Sequence, residues 1–272
     1  MSERRAPSLS LALEKRGPFA PDGVSREDAR AAWLAFRHEH GYVGYAPILT
    51  PPEKQRKLGK DRRLPLYSLS LAPASQSGEW NVCQWSTPKC RNACVLTARY
   101  ASVAEARVVR TVFLAEHPAE AVALIASELR EAVAERGRIG FRPNAGSDLR
   151  WERIAPALLT LKGVSSYDYT KAPASQRNGS VYRLVYSVSE LGRSEQEALD
   201  YLRSGGTAAV VFDTKKSKDL PATWHGFRVL DGDKSDNRLL EPAGTVVGLR
   251  AKELALRHDR DSSGFVKEGV AT

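Results

Sequence analysis

Cysteine is scarce in this chain of 272 residues: Cys83, Cys90 and Cys94 are the three it has. All fall between Gly78 and Cys94, in GEWNVCQWSTPKCRNAC. Three cysteines cannot form a disulfide scheme without leaving one over. The start MSERRAPSLSLALEKRG has no sustained apolar run before its charges, so no secretory leader is expected. Both points predict a reducing cytoplasm. No stretch approaches a membrane span, and no membrane partner is expected. Also absent are G-x-x-x-x-G-K-[ST], G-x-S-x-G and H-E-x-x-H, which argues against the usual loop-type nucleotide hydrolases, serine hydrolases and zincins.

What is present is basic and ordinarily apolar. Lys and Arg number 41 against 32 Asp and Glu, a net charge of +9. That balance favours an acidic partner, a small molecule, nucleotide or nucleic acid, or else simply maintains solubility. The hydrophobic share of 42% suits one large globular domain or two small ones.

Residues 1–63 read as an N-terminal extension. Residues 1–24 lack a period and carry Pro7, Gly17, Pro18 and Pro21, which predicts an arm ordered in part at best. A helix then starts at Ser25, with Asp28 in a capping-box-like position, Ala29, Trp33 and Phe36 on one face, and Gly41 as its stop. A turn-rich basic loop follows. From residue 64 to 253, strands alternate with helices. Strands are expected at 64–71, 138–142, 164–169, 180–187, 207–212, 227–230 and 245–249. Helices are expected after Cys94, from Pro118 to Gly137, over 149–161, and from a Ser194/Glu197 cap to Gly205. This is an α/β pattern, a partial or open parallel (β/α) barrel of six to seven strands. The short connection TKAPASQRNG is the weak joint, near the minimum for a parallel crossover. Residues 254–272 read as an irregular tail.

Polar residues gather just after strand ends, where parallel barrels place their chemistry. Asp168 with Lys171, and Asp213 with Lys215, are candidate proton-transfer pairs or salt bridges. Arg91, Asn144, Asp148, Glu190 and Asp231 are candidate cofactor-binding residues; Asp148 could equally cap the helix carrying Trp151. Asp231, Asp233 and Asp236 resemble a cation loop, without the EF-hand's glycine and glutamate. The trio Cys83, Cys90 and Cys94, spaced C-x6-C-x3-C, suggests three ligands to one centre. A [4Fe-4S] cluster with an open iron suits it. Zinc would need a fourth ligand such as His225. Three inert, buried thiols are the plain alternative.

A cysteine trio after the first strand of a partial parallel barrel resembles the radical S-adenosylmethionine enzymes. That resemblance implies a four-iron cluster on Cys83, Cys90 and Cys94 with S-adenosylmethionine at the open iron. The spacing differs from the C-x3-C-x2-C usual there. NVCQWSTPKCRNAC, RPNAGSDLRWE, YDYTK, VVFDTKK, LPATWHGF and DGDKSDNR are together similar to a family of uncharacterised proteins of actinobacterial phages and their hosts. The competing expectation is a non-catalytic phage or host nucleic-acid-binding protein whose cysteine loop holds zinc or nothing.

Overall fold

The computed structural model describes residues 6–55, 63–96, 101–214, 220–252 and 264–268. Its chain order is α1 (Leu9–Glu14), α2 (Arg26–Glu39), β1 (Leu66–Ser68), α3 (Pro88–Asn92), α4 (Ala101–Glu116), α5 (Pro118–Arg136), β2 (Ile139–Arg142), α6 (Trp151–Ile154), α7 (Pro156–Leu159), β3 (Val164–Thr170), β4 (Arg183–Ser187), α8 (Gly192–Arg203), β5 (Thr207–Asp213), β6 (Thr223–Trp224), β7 (Phe227–Asp231), β8 (Val246–Arg250) and β9 (Lys267–Glu268). The strands form one sheet in the order β1-β2-β3-β4-β5-β8-β7-β6, with β9 also paired to β5. Every ladder is parallel except the β6–β7 hairpin. Among the described residues no ladder joins β1 to the far end, so the barrel is open.

All seven expected strands are found. The connection after β3 does make a parallel crossover, through a 3-10 turn at Ala174–Gln176. The order departs from simple succession at one place. β8 inserts between β5 and β7, so the last two long strands are exchanged relative to their sequence. β9, in the stretch expected to be an irregular tail, adds two residues beside the end of β5.

Alternation along the strands divides the sheet into two faces. One packs against α4 and α5 through Ile139, Phe141, Tyr182 and Leu184, with Phe113, Val122, Ile125 and Leu129 opposite. The other carries Leu66 and Tyr167 with Leu239, then Tyr169, Val185, Ala209, Val247 and Leu249. Burying each large apolar side chain is worth roughly 1.5–3 kcal/mol. α5 begins on Pro118, whose missing N–H costs nothing in a first turn. It ends at Gly137 with φ +77°, a backbone angle that favours glycine. Gly163, with φ +83°, brings the chain close to Val133 before β3 starts; a Cβ there would lie 2.7 Å from its Cγ1.

Some local expectations are corrected. The helix expected over 149–161 is broken in two, because Pro156 starts a new turn at α7 and cannot continue α6. Ser194 does not cap α8. The helix starts two residues earlier, after Leu191, and the buried Ser194 hydroxyl accepts from Ser189 N at 2.9 Å instead. Ser25 does cap α2, accepting from Asp28 N at 3.1 Å.

The larger correction concerns the first residues. Residues 6–24 are docked. Asn81 N donates to Pro7 O and Leu9 N donates to Asn81 O, a short parallel bridge to the cysteine loop. Leu9 and Leu13 are fully buried. Glu14 takes two hydrogen bonds from Arg150, from Nε at 2.7 Å and from Nη2 at 2.5 Å. The anchor is an apolar pair four residues apart plus one carboxylate, a pattern too short to show as a period. Breaking a buried ion pair leaves one charge uncompensated and costs roughly 3–5 kcal/mol. Glu14→Gln is therefore expected to lower unfolding free energy in urea by about 2–4 kcal/mol; a loss under about 0.5 kcal/mol, the usual surface value, would show that the segment is not held this way.

Candidate functional site at the cysteine loop

Cys83 sits where three segments meet. Its backbone N–H donates to Asn81 Oδ1 at 2.9 Å. Its Sγ accepts from Ala74 N at 3.4 Å and donates to Gly146 O, in the loop after β2, at 3.5 Å. Asp148 N donates to Val82 O, completing the seam. Cys90 lies on α3, a short helix that begins on Pro88 and is capped by Thr87. Thr87 Oγ1 accepts from Cys90 N and donates to Glu190 Oε2 at 2.7 Å. Lys89 N donates to the other oxygen of the same carboxylate at 3.1 Å. Glu190 follows β4, so it pins α3 to the carboxyl end of the sheet. Cys90 then packs with Ala93, Ala251, Phe265 and Val266. Lys171 Nζ, after β3, stands 6.0 Å from the centre of the Phe265 ring.

Burial pushes the Cys83 thiol up to about 12, with Asp148, Cys90 and Cys94 close enough for their charges to add to the rise. No disulfide joins any of the three. As arranged, no three of the described His, Cys, Asp and Glu residues are grouped to hold a metal ion, so the trio does not fit as a ready ligand set.

A second polar centre adjoins the first. Arg177 is buried, with Nε on Glu152 Oε1 and Nη1 on Asp148 Oδ1, each at 2.7 Å, and Nη2 on the Tyr182 hydroxyl. Tyr182 Oη reaches Asp168 Oδ2 at 3.2 Å. Asn144 donates to Asp168 twice, from its backbone at 2.8 Å and from Nδ2 at 2.7 Å. Asp148 also accepts from Lys171 N at 2.9 Å, so it is not a helix cap; Arg150 holds that position. Three carboxyl groups thus surround one guanidinium, and Asp168 receives none of its N–H groups. Burial raises Asp168 to about 7, against the pull of Arg177 and the Asn144 hydrogen bonds. Asp148 moves the same way, again from burial.

The remaining predicted residues are dispersed. Arg91 is exposed on α3 and donates to Ser86 O at 2.6 Å. Asp213 is exposed at the end of β5, opposite β9. Lys215 lies outside the described residues. Asp231 meets Arg250 at 2.9 Å, and although burial works against it, that guanidinium holds the carboxyl below its usual range. Asp233 is engaged by Arg250 and Lys252, so this turn is an ion-paired one. His225 stands outside the cysteine site and reaches Glu195 at 2.9 Å.

Sequence reading missed Glu152, Arg177 and Tyr182. Glu152 was the one usable signal: a carboxylate beside Trp151 and Ile154, on a segment read as an apolar face.

The family model described as Gene product 88 matches residues 46–269. The chain belongs to the Gene product 88 family. That span contains every motif on which the family resemblance rested. No curated protein and no solved structure matches. No helix among the described residues is long and apolar enough to cross a membrane.

Two measurements test this site. Asp168 binds its proton more tightly folded than unfolded, so it favours folding most below pH 4, and that contribution is lost as pH rises through about 7. Urea unfolding from pH 5 to 8 should show stability falling with pH, and Asp168→Asn should flatten the slope; a parent stability that rises over this range would contradict the assignment. Secondly, Cys83 should resist iodoacetamide in the native reduced protein at pH 8 and react after denaturation, because the thiolate is the nucleophile. Mass mapping that finds Cys83 alkylated first would refute its burial as a thiol.

Proposed function

We propose that the Gene product 88 chain is an iron–sulfur protein whose cluster is held by Cys83, Cys90 and Cys94 on the carboxyl-end face of the open barrel. One observation carries the reading. All the cysteines lie on one loop, and residues following β2 and β4, Gly146 and Glu190, fasten that loop over the strand ends. Three thiolates with an open fourth position suit a four-iron cluster. Ligation requires Cys83 to give up its proton and its bonds to Ala74 and Gly146, and the loop to draw its sulfurs together. Cys90 is placed for this, on a helix of only five residues held at its start by Glu190.

The finer form of the proposal follows the radical S-adenosylmethionine resemblance, with S-adenosylmethionine at the open position. Its support is the loop's position after the first strand and the nearness of Asp148, Lys171 and Glu190 as polar groups to orient a cofactor. The cofactor would supply the radical chemistry, the protein its binding and orientation. The proposed source is phage or actinobacterial and the proposed compartment cytoplasmic.

The test is anaerobic reconstitution with iron and sulfide. The expected product is brown, with about four irons per chain, and each of Cys83→Ala, Cys90→Ala and Cys94→Ala lowers iron content while far-ultraviolet circular dichroism is kept. Added S-adenosylmethionine should alter the electron paramagnetic resonance signal of the reduced cluster. A colourless, iron-free product sinks the cluster reading, and zinc bound instead would transfer the loop to the nucleic-acid-binding alternative.

A further inference from the structure

Residues 264–268, read from the sequence as part of an irregular tail, reach back to the cysteine loop. Phe265 is only 8% exposed. It packs in one cluster with Cys90 and Ala93, and with Ala251 and Val266. Ala93 is the residue that closes α3, so Phe265 lies against the helix that carries Cys90. Among the described residues, Phe265 supplies the one ring of that cluster, and a ring is the largest cover a sulfur can be given there. Cys90 is half-buried beneath it.

The attachments of this segment to the barrel are small. β9 pairs with the last two residues of β5, Phe212 opposite Lys267 and Asp213 opposite Glu268. Lys267 Nζ reaches Glu195 Oε2, on α8, at 2.7 Å. The other oxygen of Glu195 meets His225 Nε2 at 2.9 Å. Both members of the Lys267–Glu195 pair are partly exposed, and such pairs hold weakly. A short element with few buried contacts opens locally far more often than the whole chain unfolds. The Cys83 end of the loop is fastened differently. Its sulfur is bonded to Ala74 and Gly146, and Asp148, which bonds Val82, is tied to the buried Arg177. Cys83 is therefore bared only when the core itself opens.

We propose that residues 264–268 form a gate over the Cys90 end of the cysteine loop. Closed, Phe265 shields the Cys90 sulfur. Release of the β5–β9 pairing and of the Lys267–Glu195 latch bares it, while Cys83 stays covered. The gate thus sets how fast ions and small reagents reach the loop. Its part in loading a cluster rests on the iron–sulfur reading; the shielding of Cys90 does not.

The test follows iodoacetamide labelling of each cysteine by peptide mapping in the full, reduced chain without added iron. Cys90 of the parent should react more slowly than in the urea-unfolded chain and faster than Cys83. Below the unfolding transition its rate should change little with urea, since releasing a short segment exposes little surface, whereas the Cys83 rate should follow global unfolding. Phe265→Ala should speed Cys90 about tenfold or more, from the loss of a buried ring. Lys267→Glu, a surface change that spares the core, should speed it about threefold. Adding Glu195→Lys to Lys267→Glu should restore the slow rate. The gate is overturned if parent Cys90 reacts as fast as in the unfolded chain, if neither Phe265→Ala nor Lys267→Glu speeds it, or if both speed Cys83 by the same factor, which would be general loosening. Iron uptake during anaerobic reconstitution separates this from the cluster reading. Faster uptake by Lys267→Glu supports a part in loading, and equal uptake overturns that part. No uptake by any of the proteins, with the labelling as expected, sinks the cluster and leaves the gate.

Discussion

The Arg177 guanidinium is the pivot of this structure. A buried cation persists only where carboxylates meet it, and Asp148 and Glu152 do so from the segment after β2. Arg177 itself belongs to the connection between β3 and β4, and Tyr182 passes its hydrogen bonding on to Asp168 in β3. One side chain thus ties three consecutive parts of the barrel together. This explains why a crossover with so little helix holds its parallel geometry. Apolar contact alone would be indifferent to small slips of such a loop; a bidentate ion pair is not.

The same network supports the cysteine loop. Asp148 bonds Arg177 through its side chain and Val82 through its backbone. Asn144 fixes Asp168 on one side and accepts from Leu149 N on the other. The loop bearing Cys83 is therefore laid on a rigid polar platform, whereas Cys90 rides on a five-residue helix clasped mainly by Glu190. The loop is thus held rigidly at its Cys83 end and by a short clasp at its Cys90 end.

Much of the fold was legible because its strands are short apolar runs between turn formers. Leu66, Phe141, Val185, Val210 and Val247 all fall in strands that the sequence marks. The insertion of β8 between β5 and β7 was not legible, since strand order depends on pairing energies across the sheet and leaves no local pattern. The docking of residues 6–24 escaped for a related reason: Leu9, Leu13 and Glu14 act through partners far along the chain, with Arg150 beyond a hundred positions away. At the site, the cysteine loop and Glu190 were readable as a cluster and a strand-end residue. Arg177 was not, because an arginine in a Ser, Asn and Gly-rich connection looks like every solvated one until its burial is known.

The match to the family begins at residue 46, yet the core does not. Leu9, Leu13, Trp33 and Phe36 belong to the same packed cluster as Phe113 and Phe141. A chain trimmed to the shared span would open a greasy trench along α5, α4 and α6 and strand Arg150 without its acid. The leading segment is thus an integral wall of the core that the shared span alone would leave open to water.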